Sequence, residues 1–76
     1  MNMLDAQSLG NIIQKIREEK GISQEVCSGL AGIGRTHLSA IERGTRKPTL
    51  ETFFKLAQAL DMKPSELMAK IEENIE

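Results

Sequence analysis

Apolar residues recur along this chain at helical spacing, in blocks separated by glycine, proline or a capping hydroxyl. Leu9, Ile12, Ile13 and Ile16 stand at i, i+3, i+4 and i+7, one face of an amphipathic helix. Asp5 or Ser8 is placed to cap that helix and Gly21 to end it near Lys20. Ser23 caps a second pattern whose buried side is expected to hold Val26, Cys27, Leu30 and Ala31. Gly32 supplies a tight turn, Ile33 anchors it, and a third pattern from Gly34 to Gly44 turns Leu38 and Ile41 inward. Thr49 then caps a fourth helix with Leu50, Phe53, Phe54, Ala57 and Leu60 expected inward. Pro64 suits the first position of a last helix, about 64–75, lined by Leu67, Met68, Ile71 and Ile75. The pattern predicts an all-α fold, a compact five-helix bundle forming a single domain over residues 1–76.

Composition narrows this picture. Phe53 and Phe54 are the only aromatics, so aliphatic side chains fill the core, which favours packed helices over a sheet. At 76 residues the chain buries only about 60% of the surface its unfolded form exposes, so stability is modest. The lone Cys27 forms no intrachain disulfide and holds no zinc by itself, and no apolar run approaches a membrane span. A soluble, cytoplasmic protein is expected, without metal or cofactor and without contact with a membrane.

Net charge is −1, which weighs against a nucleic-acid partner until its distribution is considered. Residues 8–50 carry seven bases against four acids, a balance of +3, while residues 51–76 carry three bases against six acids, a balance of −3, and Asp5 adds the last −1. A positive half and a negative half let one face meet phosphate while the other stays in solvent.

Two short helices about a glycine turn, at about 23–43, have the layout of a helix-turn-helix, whose second helix enters the major groove. The stretches Lys15-Ile16-Arg17-Glu18-Glu19-Lys20-Gly21-Ile22-Ser23-Gln24-Glu25, Ala31-Gly32-Ile33, Leu38-Ser39-Ala40-Ile41-Glu42-Arg43-Gly44 and Pro48-Thr49-Leu50-Glu51-Thr52 resemble the lambda-repressor-like (XRE-type) helix-turn-helix regulators over roughly residues 9 to 68. Small size and the Arg35-Thr36 start of the third helix look most like the controller proteins of restriction-modification systems. The chain departs from the family at Cys27, where leucine is usual, at Ser28, where alanine is usual, and at Gly34, His37 and Ala40.

The docking geometry of such a motif assigns base reading to Arg35, Thr36 and His37 in the first turn of the third helix, with Ser39 and Ala40 on the same outward side. Arg35 suits a bidentate contact to guanine, and Thr36 a thymine methyl or a phosphate. Gln24, Arg43, Arg46 and Lys47 are assigned to phosphates, against the plain alternative of a solvated charged surface. The resemblance implies that Arg17 and Glu42 form a partly buried, structural ion pair. Met68 and Ile75 exceed what the last helix needs for its own core and are assigned to a two-fold contact.

These assignments describe a homodimeric, sequence-specific regulator on palindromic double-stranded DNA, either blocking or recruiting polymerase. An antitoxin-type module that masks a partner protein and autoregulates its operon is the competing class. An enzyme is a remote third: no nucleophile-base pair, metal cluster or phosphate-cradling loop stands in the sequence.

Overall fold

In the computed structural model, which describes residues 4–75, five helices follow one another: α1 (Ala6–Glu19), α2 (Gln24–Ala31), α3 (Arg35–Glu42), α4 (Leu50–Ala59) and α5 (Pro64–Glu73). No strand occurs among the described residues. The helices start where polar groups satisfy their free backbone N–H groups. The Asp5 carboxylate accepts from the Ser8 N–H at 2.8 Å, and Ser23 and Thr49 hydroxyls accept from Val26 and Thr52 N–H at 3.1 Å each. Asp5 rather than Ser8 is thus the cap, and α1 begins three residues earlier than the apolar pattern implies. These bonds to its ionised form hold the Asp5 carboxyl below its ordinary range. In α5 the Glu66 carboxylate takes the Lys63 N–H at 2.8 Å, and α3 begins at Gly34 with no side-chain cap.

The core gathers one stripe from each helix. Ile13, Leu38, Ile41, Leu56, Leu60, Leu67, Ile71 and Cys27 are fully buried, with Leu9, Ile12, Ile16, Phe53 and Ala57 around them. α1 packs on α3 and α5, and α2 packs on α3 and α4. The result measures 34 × 23 × 22 Å.

Three expectations about burial are corrected. Val26 and Leu30 are 53% and 64% exposed, whereas Cys27, Ser28 and Ala31 are the residues of α2 that enter the core. On α4, Leu50 and Phe54 are 74% and 57% exposed beside the buried Phe53 and Leu56. In both helices the neighbouring elements cover a stripe narrower than the apolar pattern. Ile75 is half-buried against the core cluster, which leaves less of it for a second subunit than Met68 offers. Cys27 and Ser28 both fit the interior, and the Ser28 hydroxyl donates to the Glu25 carbonyl at 3.2 Å.

The turn between α2 and α3 rests on Gly32, whose φ of 72° is left-handed. From there the Gly32 and Ile33 N–H groups reach the Gly29 and Ser28 carbonyls at 3.2 and 3.0 Å. Ile33 packs against the core and fixes the direction in which α3 departs.

Of the glycines, Gly10 stands at the tightest contact. A Cβ there would overlap the Ile41 carbonyl oxygen and lie 2.7 Å from that of Glu42, so α1 and the end of α3 touch backbone to backbone. Gly29 faces open space within α2. In denaturant unfolding, Gly10→Ala is expected to destabilise by about 1–3 kcal/mol through overpacking. Gly29→Ala is expected to stabilise by about 1 kcal/mol through helix propensity. Equal effects from the two would contradict the close approach.

Candidate nucleic-acid interface

α3 has only eight residues, and its inward side is taken by Leu38, Ile41 and Glu42. What remains is an outward stripe. Thr36, Ser39, Ala40 and Arg43 follow at i, i+3, i+4 and i+7, and so share a face. Arg35 and His37 flank that stripe in the first turn. Arg35, Thr36 and Arg43 are exposed, while His37, Ser39 and Ala40 are half-buried. The structure therefore brings the five residues assigned to base reading onto one short surface at the start and middle of α3.

Arg46 and Lys47 are exposed in the loop after α3. That loop is held by Thr45, whose backbone N–H and hydroxyl both donate to the Ala40 carbonyl, at 3.0 and 3.1 Å. It also lies against the start of α1: Gln7 sits so near Gly44 that a Cβ there would be 2.8 Å from the Gln7 Cα, and the Lys47 charge helps lower the Asp5 carboxyl. Two further cations are thereby fixed at the end of the α3 stripe.

Glu42 is the one acid between residues 26 and 50, and the fold removes it from this surface. Its side chain, 2% exposed, lies under α3, where Arg17 meets it with two parallel bonds: Nε to Oε2 at 2.7 Å and Nη2 to Oε1 at 3.0 Å. The fork matches the planes of both groups and carries full charge on each. Arg17 Nη1 donates to the Ile22 carbonyl at 2.7 Å, which ties the α1–α2 connection into the same cluster. The Glu42 carboxylate also holds the Arg17 guanidinium above its ordinary range.

Gln24 is the correction at this site. Its amide nitrogen donates to Glu42 Oε1 at 2.9 Å, so the group assigned to a phosphate is turned inward and joins α2 to α3. A glutamine directly after a capping serine is compatible with either direction, and only the position of Glu42 decides between them. Among the described residues no buried side-chain nitrogen or oxygen lacks a partner. Burial, with a smaller contribution from the Glu42 charge, pushes the Cys27 thiol above its ordinary range. A cleft of about 400 Å³ between α1 and α5 is lined by Lys15, Lys20, Lys70, Glu19 and Glu73 with apolar neighbours and includes no residue of α3.

A short helix displayed across a glycine turn, polar on its free side and bordered by cations, is the architecture of a DNA-binding helix-turn-helix protein. The helix-turn-helix family model matches residues 13–67, and the chain belongs to that family of transcriptional regulators. The uncharacterized HTH-type transcriptional regulator y4dJ of Sinorhizobium fredii is 38% identical over 65 residues, spanning 86% of this chain and 84% of that protein. The restriction-modification controller protein C.AhdI from Aeromonas hydrophila superposes with a TM-score of 0.78 at 39% identity, over 82% of this chain and 94% of that one. The controller protein C.Esp1396I, solved as a tetramer on its natural 35 base-pair operator, gives a TM-score of 0.85 at 26% identity, over 91% of each chain.

Removing one partner from a buried pair leaves the other charged and desolvated. Glu42→Ala is expected to cost about 3–5 kcal/mol and to lower the melting temperature by more than about 10 °C. Glu18→Ala, which removes only an exposed carboxylate 3.9 Å from Arg17, is expected to leave it nearly unchanged. Similar melting curves for the two variants would refute the structural role of Glu42.

Proposed function

We propose that this chain is a sequence-specific transcriptional regulator of the restriction-modification controller type, acting as a dimer on a palindromic operator. The observation that carries this reading is the withdrawal of Glu42. With that acid buried against Arg17, the free face of α3 and the loop after it present Arg35, Arg43, Arg46 and Lys47 with no free acid among residues 33–50. Net charge of −1 on the whole chain is then no obstacle, because residues 51–76 hold the excess of acids, six against three bases.

The cations divide by position. Arg35, in the first turn of α3, reaches base edges, where its fork matches guanine O6 and N7. Thr36, His37, Ser39 and Ala40 shape the rest of the reading surface, Ala40 by apolar contact alone. Arg43, Arg46 and Lys47 neutralise phosphates and set the register of α3 in the groove. Gln24 acts indirectly, by holding α2 on Glu42.

Selection of bound sites from random DNA by the purified chain is expected to enrich a palindrome with half-sites about one helical turn apart. On that site Arg35→Ala is expected to relax preference at one base position by about 1–3 kcal/mol, and Lys47→Ala to weaken all sequences alike and reduce the salt slope by about one. Failure to enrich any sequence without an added protein would favour the antitoxin-type interaction module. Identical effects of the two variants would overturn the division of roles.

A further inference from the structure

Ala40 is the one wholly apolar side chain on the free face of α3. Leu38 and Ile41 enter the core cluster, and Ala40, half-buried, stays outside it. Four residues earlier on the same stripe stands Thr36, exposed, with a methyl beside its hydroxyl. At that spacing two Cβ atoms lie about 5–6 Å apart. A helical Cα–Cβ bond leans toward the N-terminus, so the Ala40 methyl leans over the turn that Thr36 opens. Arg35, His37, Ser39 and Arg43 border this small apolar spot with polar groups. The backbone beneath it is fixed, because the Thr45 N–H and hydroxyl both donate to the Ala40 carbonyl, at 3.0 and 3.1 Å.

We propose that this spot reads the 5-methyl group of a pyrimidine, so that the chain binds thymine or 5-methylcytosine at one position of each half-site more tightly than their unmethylated counterparts. The proposal deepens the function proposed above and rests on α3 lying in the major groove. Among the groups that the four bases present in that groove, the thymine methyl is the only apolar one, and the rest are hydrogen-bond donors or acceptors. Alanine has neither donor nor acceptor, so it discriminates there by shape and apolar contact alone. A longer side chain at position 40 would stand where the methyl goes, and alanine leaves that room. Packing the two apolar groups together removes water from both. Methylation of cytosine at C5 puts the same group at the same place, so the spot reads the modification state of a cytosine as well as the identity of a base.

The test measures the affinity of the full chain for its selected operator with each thymine of one half-site replaced singly by deoxyuracil, which removes the methyl and keeps the base pairing. At one thymine the replacement is expected to weaken binding about fourfold, the worth of one buried methyl-sized group. At the same position 5-methylcytosine is expected to bind about fourfold more tightly than cytosine. Ala40→Gly removes the methyl on the protein side and is expected to bring both ratios close to one. Thr36→Ser, which keeps the hydroxyl, is expected to reduce them. Each ratio compares two DNAs on one protein, so a difference in stability between variants cancels. The proposal is overturned if no thymine-to-uracil change lowers affinity, if 5-methylcytosine binds no better than cytosine, or if the ratios stay undiminished in both variants. A chain that selects a palindrome yet treats thymine and uracil alike contradicts the methyl reading and leaves the regulatory one standing. A chain that selects no sequence contradicts the regulatory reading and the methyl reading with it.

Discussion

The Arg17–Glu42 pair is the interaction on which the arrangement of this molecule depends. It lies between α1 and α3, takes in the carbonyl of Ile22 through Arg17 and the amide of Gln24 through Glu42, and so joins α1, the α1–α2 connection, α2 and α3. A buried ion pair is weak evidence of stability, since desolvation offsets much of its attraction. Its value here is positional. Each of its oxygens and nitrogens has a fixed partner, so α2 and α3 cannot slide on α1 without leaving a charge unpaired. The same pairing withdraws the only acid of α3 from its free face, and one contact thereby sets both the geometry and the sign of that face.

Backbone contact works beside this electrostatic tie. Gly10 lets the end of α3 rest against α1, and that approach brings Glu42 within reach of Arg17 from the opposite helix. Gly32 then turns the chain sharply enough for α3 to leave α2 with its polar stripe outward. α3 begins with no side-chain cap and spans two turns, so little in its own sequence maintains it. Leu38 and Ile41, fully buried, hold it instead. α3 is thus held in place by what lies beneath it.

Much of this was legible in the residues. Periodicity located all five helices, because each carries at least one regular apolar stripe, and Ser23, Thr49 and Pro64 marked three of the starts. Burial within a stripe was not legible. α2 and α4 each present more apolar positions than their neighbours cover, and only the packing shows that Cys27 and Phe53 go in while Leu30 and Phe54 stay out. Gly10 carried a signal that periodicity passes over: a glycine inside a regular helix costs about 1 kcal/mol and calls for a reason, which is the carbonyl of Ile41. The pairing of Arg17 with Glu42, 25 positions apart, came from family resemblance, and the inward turn of Gln24 followed from neither pattern nor resemblance.

In the function proposed above, α3 reads the major groove through its first turn, in two copies set by symmetry. Methylation protection of guanine N7 on a selected operator tests it most directly, because N7 lies in the major groove where the Arg35 fork would sit. Two protected patches about one helical turn apart are expected, with guanines in both patches re-exposed in the Arg35→Ala protein. Binding that leaves every N7 reactive, or protection that Arg35→Ala does not disturb, would contradict it.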